Sequence, residues 1–224
     1  MDIGKAFSFP FEDDQWVSSI LICGALLLLP IVGWLAIAGY MLETARNVMQ
    51  GSPRPLPKWN NFGEKLSLGV GYLAVTVVYA LPVVILSLIG ACLMIPAAAS
   101  GDDAAVAAGV GTFMCLMGVS VVLSLVLAPL VLAALARYVQ TGSIGAALQV
   151  GEVVKLARAD LAGWLVLWLL SILCAFVGQV GSYIVIGIFF TLPYSQAVFG
   201  HLLGQKLRTL GQPAGYDAVA QPRF

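Results

Sequence analysis

Residues 161–205 read LAGWLVLWLLSILCAFVGQVGSYIVIGIFFTLPYSQAVFGHLLGQ, with no lysine, arginine, aspartate or glutamate among them. A hydrocarbon core of about 30 Å takes about 20 residues of helix to cross, because open strands or loops would leave backbone groups unpaired in lipid. The stretch is about twice that length, too long for one crossing. Gly178-Gln179-Val180-Gly181 offers a turn that makes it a hairpin of two spans, 161–179 and 182–205.

Working outward, three further apolar stretches meet the same criterion, at 17–42, 67–97 and 105–135. Hydrophobic residues make up 60% of the 224 and charged residues 10%, against about 45–50% and about 25% in soluble domains. The expected fold is an all-α polytopic transmembrane helix bundle of about five spans plus short interfacial amphipathic helices. Residues 1–207 form one integral membrane domain, and 208–224 a short, flexible cytoplasmic tail. Eleven basic residues balance eleven acidic ones, so bulk charge draws the chain to no nucleic acid. The N-terminus lacks the basic region and cleavage site of a secretory signal, so the first apolar stretch is expected to stay in the mature protein.

Lysines and arginines orient such a chain. Segment 43–66 carries Arg46, Arg54, Lys58 and Lys65, whereas 98–104 has none and holds Asp102 and Asp103. Arg137, Lys155 and Arg158 follow in 136–160, and Lys206, Arg208 and Arg223 lie at the end. With five crossings this places the N-terminus outside and the C-terminus in the cytoplasm. Pro30-Ile31-Val32-Gly33 in the middle of 17–42 leaves two readings, a kinked crossing or a re-entrant hairpin with the N-terminus inside; the crossing is the expectation.

Two segments are amphipathic. In 143–160, Ile144, Ala147, Leu148, Val154, Ala157 and Leu161 share one helix face and Gln149, Glu152, Lys155 and Arg158 another, the pattern of a helix on the membrane surface. Phe7, Phe9, Phe11 and Trp16 read as interfacial anchors. The segment 51–59, rich in proline, reads as an extended strap ending in an interfacial Trp59.

Few polar residues are candidates for activity. His201, the single histidine, lies in the last span with Gln205 one turn on and Gln196 before it; these are candidate intramembrane or solute contacts, or interhelical hydrogen bonds. Gly200 and Gly204 form a GxxxG helix-packing pair. Pro30, Pro82, Pro129 and Pro193 are candidate kinks that could frame a cavity. Glu43 and Arg46, three apart, form an expected interfacial pair. The four cysteines show no ligand spacing, and no hydrolase, phosphate-loop or metal motif occurs, so neither cofactor nor enzymatic activity is expected.

The ordered motifs Lys5-Ala6-Phe7-Ser8-Phe9-Pro10-Phe11-Glu12-Asp13-Asp14-Gln15-Trp16, Gly39-Tyr40, Pro55-Leu56-Pro57-Lys58-Trp59, Leu192-Pro193-Tyr194 and His201-Leu202-Leu203-Gly204-Gln205 resemble the domain of unknown function 4013, over about residues 1–207. The resemblance implies a multi-pass protein of a prokaryotic inner or cytoplasmic membrane, and no activity or catalytic residue. Two functions are weighed. One is a non-enzymatic module for protein or lipid association, with membrane lipid, a homo-oligomer or other membrane proteins as partners. The other is a carrier or channel for a small solute. A lipid-modifying enzyme lacks a candidate nucleophile with a base beside it.

Overall fold

The structure, a computed structural model, describes residues 1–183 and 186–211, and these are helical throughout with short connections. Its helices are α1 (Ile3–Ser8), α2 (Trp16–Leu26), α3 (Val32–Met49), α4 (Phe62–Ala99), α5 (Asp103–Thr141), α6 (Ile144–Ala147), α7 (Val150–Ala159), α8 (Leu161–Val180) and α9 (Ile188–Gly211), with a 3₁₀ turn at Phe9–Glu12. Three antiparallel helix pairs, α2–α3, α4–α5 and α8–α9, make up the body. Among the described residues three helices are long and apolar enough to cross a membrane, within Phe62–Ala99, Asp103–Thr141 and Leu161–Tyr183.

The stretch 17–42 is not one kinked helix. The α2 helix has 11 residues, about 16 Å of rise, and the chain then reverses. The Val32 N–H donates to Pro30 O at 2.8 Å across Ile31, which has φ 67° and ψ −64°. That is a positive-φ γ-turn, a strained conformation for a β-branched residue. Gly33 then lies so close to the Leu26 carbonyl that a side chain would collide with it. The re-entrant alternative describes this geometry, and Pro30 marks a turn rather than a kink. Because Ile31 is strained and exposed, Ile31→Gly is expected to raise stability by about 1 kcal/mol, strain relief of about 1–3 less a backbone entropy cost of about 0.5–1. A melt in detergent reads the sign: in a continuous kinked helix the same change would lower Tm.

The five-crossing reading expects the start of the chain and the end of the last helix on opposite sides. Asp2 bonds Gln205 through its backbone, so the start of the chain and the end of α9 lie together. Residues 208–211 continue α9, and the rest of the expected tail, 212–224, lies outside the described residues. The helix that falls on the expected last span, 182–205, starts later, at Ile188, and is not among the three that are long and apolar enough to cross. The expected surface helix 143–160 is interrupted at 148–149, leaving α6 and α7; Val153 and Ala157 are buried while Leu161 is exposed.

The α4 and α5 helices have 38 and 39 residues, each about 57 Å long. They run unbroken through Pro82, Pro96 and Pro129, as α9 runs through Pro193. Their inner halves join the core, where Val75, Leu132, Ala133 and Leu135 are buried. The Tyr79 hydroxyl there donates to Ala147 O at 3.0 Å. Ser171 and Cys174, midway along α8, face the same hollow as Tyr72 and Leu132, so α8 ends about level with Pro82. Beyond it α4 and α5 continue as a two-helix arm in which Gly90, Gly109 and Ser120 are the buried residues between 81 and 128.

Candidate functional site

A cleft of about 480 Å³ opens at the end of the body where the start of the chain meets the end of α9. The N-terminal segment forms one wall, residues 51–56 a second, and the last turns of α9 a third. Each wall is held by local chemistry. Asp2 caps α1, its carboxylate accepting from the Lys5 N–H at 2.9 Å. The Asn47 amide donates to Pro55 O at 3.0 Å and ties the proline strap to α3.

His201 and Gln205 are brought together here, and they act as a latch. Gln205 accepts from the Asp2 N–H at 2.6 Å and donates to Asp2 O at 2.9 Å. Its second amide hydrogen reaches His201 Nδ1 at 3.1 Å, which leaves the imidazole proton on Nε2. The His201 ring stacks on Phe9 at 4.4 Å, and Tyr194 donates to Phe7 O at 2.7 Å. Phe9 is therefore buried rather than an interfacial anchor. The cleft carries opposed charges, with Lys5 paired to Glu12 at 2.6 Å and Arg54 beside it paired to Asp14 at 3.3 Å. Such a surface can hold a polar molecule through several charge-assisted contacts.

Gln196 is not part of this group. It lies between two smaller hollows nearer the middle of the body. Gly200 and Gly204 face α3, where side chains would strike the backbone carbonyls of Met41 and Ala45. The GxxxG pair thus seats α9 on α3.

Glu43 and Arg46 do not pair with each other. Glu43 Oε2 lies 2.9 Å from Lys65 Nζ, and Arg46 lies 3.3 Å from Glu64. Tertiary partners on α4 win over helix spacing because Lys65 is fully buried and needs a counter-charge. The Glu43 contact is an ion pair of poor direction, since Oε2 accepts no directed hydrogen bond. Lys65 donates instead to Lys58 O at 2.6 Å and lies over the Trp59 ring at 5.3 Å. Trp59 is consequently no interfacial anchor: it stacks on Tyr40 at 5.4 Å and donates to Ser19 O at 3.2 Å.

The same device recurs at the foot of α8. Buried Lys206 pairs with Asp160 and lies 5.2 Å from the Trp164 ring. Asp160 also caps α8 by accepting from the Gly163 N–H at 3.0 Å. These two lysine clamps were missed in the sequence, where Lys65 read as loop charge and Lys206 as charge at the end of the chain. The available signal was each lysine's place on an otherwise apolar helix face.

The hydrogen bond from Lys206, with that from Gly163, holds the Asp160 carboxyl below its usual value of 3.8. A depressed folded value means the stabilisation is complete above about pH 4 and is lost as pH falls through the folded value. Thermal melts between pH 7 and 3 are expected to lose a component in wild type that Asp160→Asn lacks at every pH, since Asn keeps the cap but not the charge.

These features define an all-helical protein with helices apolar enough for membrane spans. A family model described as "Protein of unknown function (DUF4013)" matches residues 22–190. The chain belongs to this family. The motifs at Lys5–Trp16 and His201–Gln205 lie outside the matched residues. No curated protein and no solved structure matches the chain.

Proposed function

We propose that the chain is a non-enzymatic module of a prokaryotic cell membrane that associates with lipid or with other membrane proteins. The observation that carries this reading is the arm of α4 and α5. It has no charged residue between Lys65 and Asp102 or between Asp103 and Arg137, and it exposes Leu88, Ile95, Met114, Val122 and Val126 to whatever surrounds it. Water is an unfavourable neighbour for so large an apolar surface. The end with the cleft, where most lysines and arginines gather, faces the cytoplasm in this reading.

The native cysteines allow a direct test. Cys92 and Cys115 are exposed on the arm, whereas Cys23 and Cys174 are buried. In intact membranes an impermeant maleimide is expected to leave Cys92 and Cys115 unlabelled until detergent is added, and the protein extracted in mild detergent is expected to carry specific lipid or a second protein. Ready labelling in intact membranes, or a bare monomer with neither companion, would sink the proposal. The carrier reading is weakened because His201 and Gln205 latch the N-terminal segment, apart from Gln196.

A further inference from the structure

The two hollows beside Gln196 lie level with the middle of α8, since Ser171 and Cys174 line one of them. Ser171 is about 15 Å along the helix from Leu161, at the middle of a helix apolar enough to span a membrane. The first hollow, about 180 Å³, lies among α3, α4 and α9 and reaches the surface beside Trp34 and Leu73, both more than two-fifths exposed. The second, about 210 Å³, lies among α3, α4, α5, α8 and α9. Tyr72 and Gln196 line both and form the septum between them.

Polar groups at this depth are costly unless paired. The neighbours of Gln196 on α9 are paired, with Ser195 donating to Leu192 O and His201 held by Gln205. The Gln196 amide takes part in no hydrogen bond among the described residues. One turn along α4 from Tyr72, the Thr76 hydroxyl is buried without a partner. Thr44, Thr112, Thr141, Thr191 and Thr209 each bond back to a carbonyl three or four residues earlier. Thr76 alone among the described threonines does not. Thr76 itself lines neither hollow, so the polar groups that face this space from α4 and α9 are the Tyr72 phenol and the unpaired Gln196 amide, and no charged residue lines it.

We infer that the septum of Tyr72 and Gln196 binds an uncharged, lipid-soluble molecule whose head is a carbonyl-bearing ring, of the quinone class, entering sideways from the lipid. The absence of a charged wall selects a neutral ligand. The Gln196 amide and the Tyr72 phenol supply donors to a carbonyl oxygen, which accepts two. Trp34, Tyr72 and Phe199 offer ring faces for the head, and the mouth beside Leu73 admits an apolar tail. The site shares no residue with the arm, so its failure would leave the association reading standing, and the reverse.

The test is binding to the full chain in nanodiscs, with decyl-substituted benzoquinone as the probe and decylbenzene as its shape control. The quinone is expected to bind at least tenfold more tightly than the hydrocarbon, and Gln196→Leu and Tyr72→Phe are each expected to weaken it at least tenfold. Gln196→Leu should also raise Tm of the unloaded protein, because it removes an unpaired amide from an apolar wall; a packing role for the amide would lower it. Equal binding of the hydrocarbon would reduce the site to an apolar gap. No binding of either probe would leave it to water, and unchanged quinone binding by both variants would place the molecule elsewhere. Each of these three results overturns the inference, and Tyr72→Phe carries the test if Gln196→Leu fails to fold.

Discussion

Gly39→Ala is expected to separate α3 from α4 and to cost more than about 3 kcal/mol, at the severe end for a single added methyl. A β-carbon at Gly39 would overlap the Lys65 carbonyl oxygen, and one at Gly69 would overlap that of Leu35. Each helix thus contributes one glycine to a contact in which two backbones touch over about one turn. Neither carbonyl can swing aside as a side chain would, so one helix must move bodily. That movement would also stretch the Glu43–Lys65 pair, which spans the same seam. Denaturation in detergent measures the loss. Gly111→Ala and Gly118→Ala are the controls: a β-carbon there meets nothing, and the helix gains stability of about 1 kcal/mol from the better propensity of alanine. If Gly39→Ala behaved like these controls, the close approach of α3 and α4 would be wrong.

The second large effect belongs to the pair itself. Glu43→Gln leaves Lys65, with no exposed side-chain surface, holding an uncompensated charge, and the expected loss is about 3 kcal/mol. Removing both charges is a different matter, because two desolvated ions repay little of the cost of burying them. The double variant Glu43→Gln with Lys65→Met is expected to recover most of the loss. A double-mutant cycle gives the coupling directly. Simple additivity of the two single losses would show that Lys65 is held by Lys58 O and Trp59 alone.

The helices of the arm were legible because a lipid-facing helix carries its signal in mean apolarity. The expected spans 67–97 and 105–135 lie inside α4 and α5, and 161–179 nearly coincides with α8. What apolarity misses is the part of a helix that packs on protein. Lys65 and Arg137 read as the ends of spans, yet α4 begins at Phe62 and α5 continues to Thr141. For 17–42, a crossing and a hairpin have the same hydropathy, and Pro30 was the one local sign of the break. The reversal depends on Ile31 adopting a positive φ, against its own preference. The site was half legible: His201 and Gln205 stood out as polar residues in an apolar run, but Gln205 bonds a backbone 203 positions away and His201 stacks on Phe9. Nothing in the local spacing announces so distant a bond.

The arm and the body stand end to end. Together they make α4 about 57 Å of helix in a layer whose oily part is about 30 Å deep. To fit by leaning alone such a rod would need a tilt of about 58°, beyond the range of about 0–40° that membrane helices adopt. The remainder of the mismatch is shared between the charged foot of the rod, with Glu64 and Lys65, standing outside the oily layer and lipid that thickens around it. In the proposed setting the rod therefore outreaches the oily layer, and the bilayer beside it is expected to be thicker than that beside a span of ordinary length.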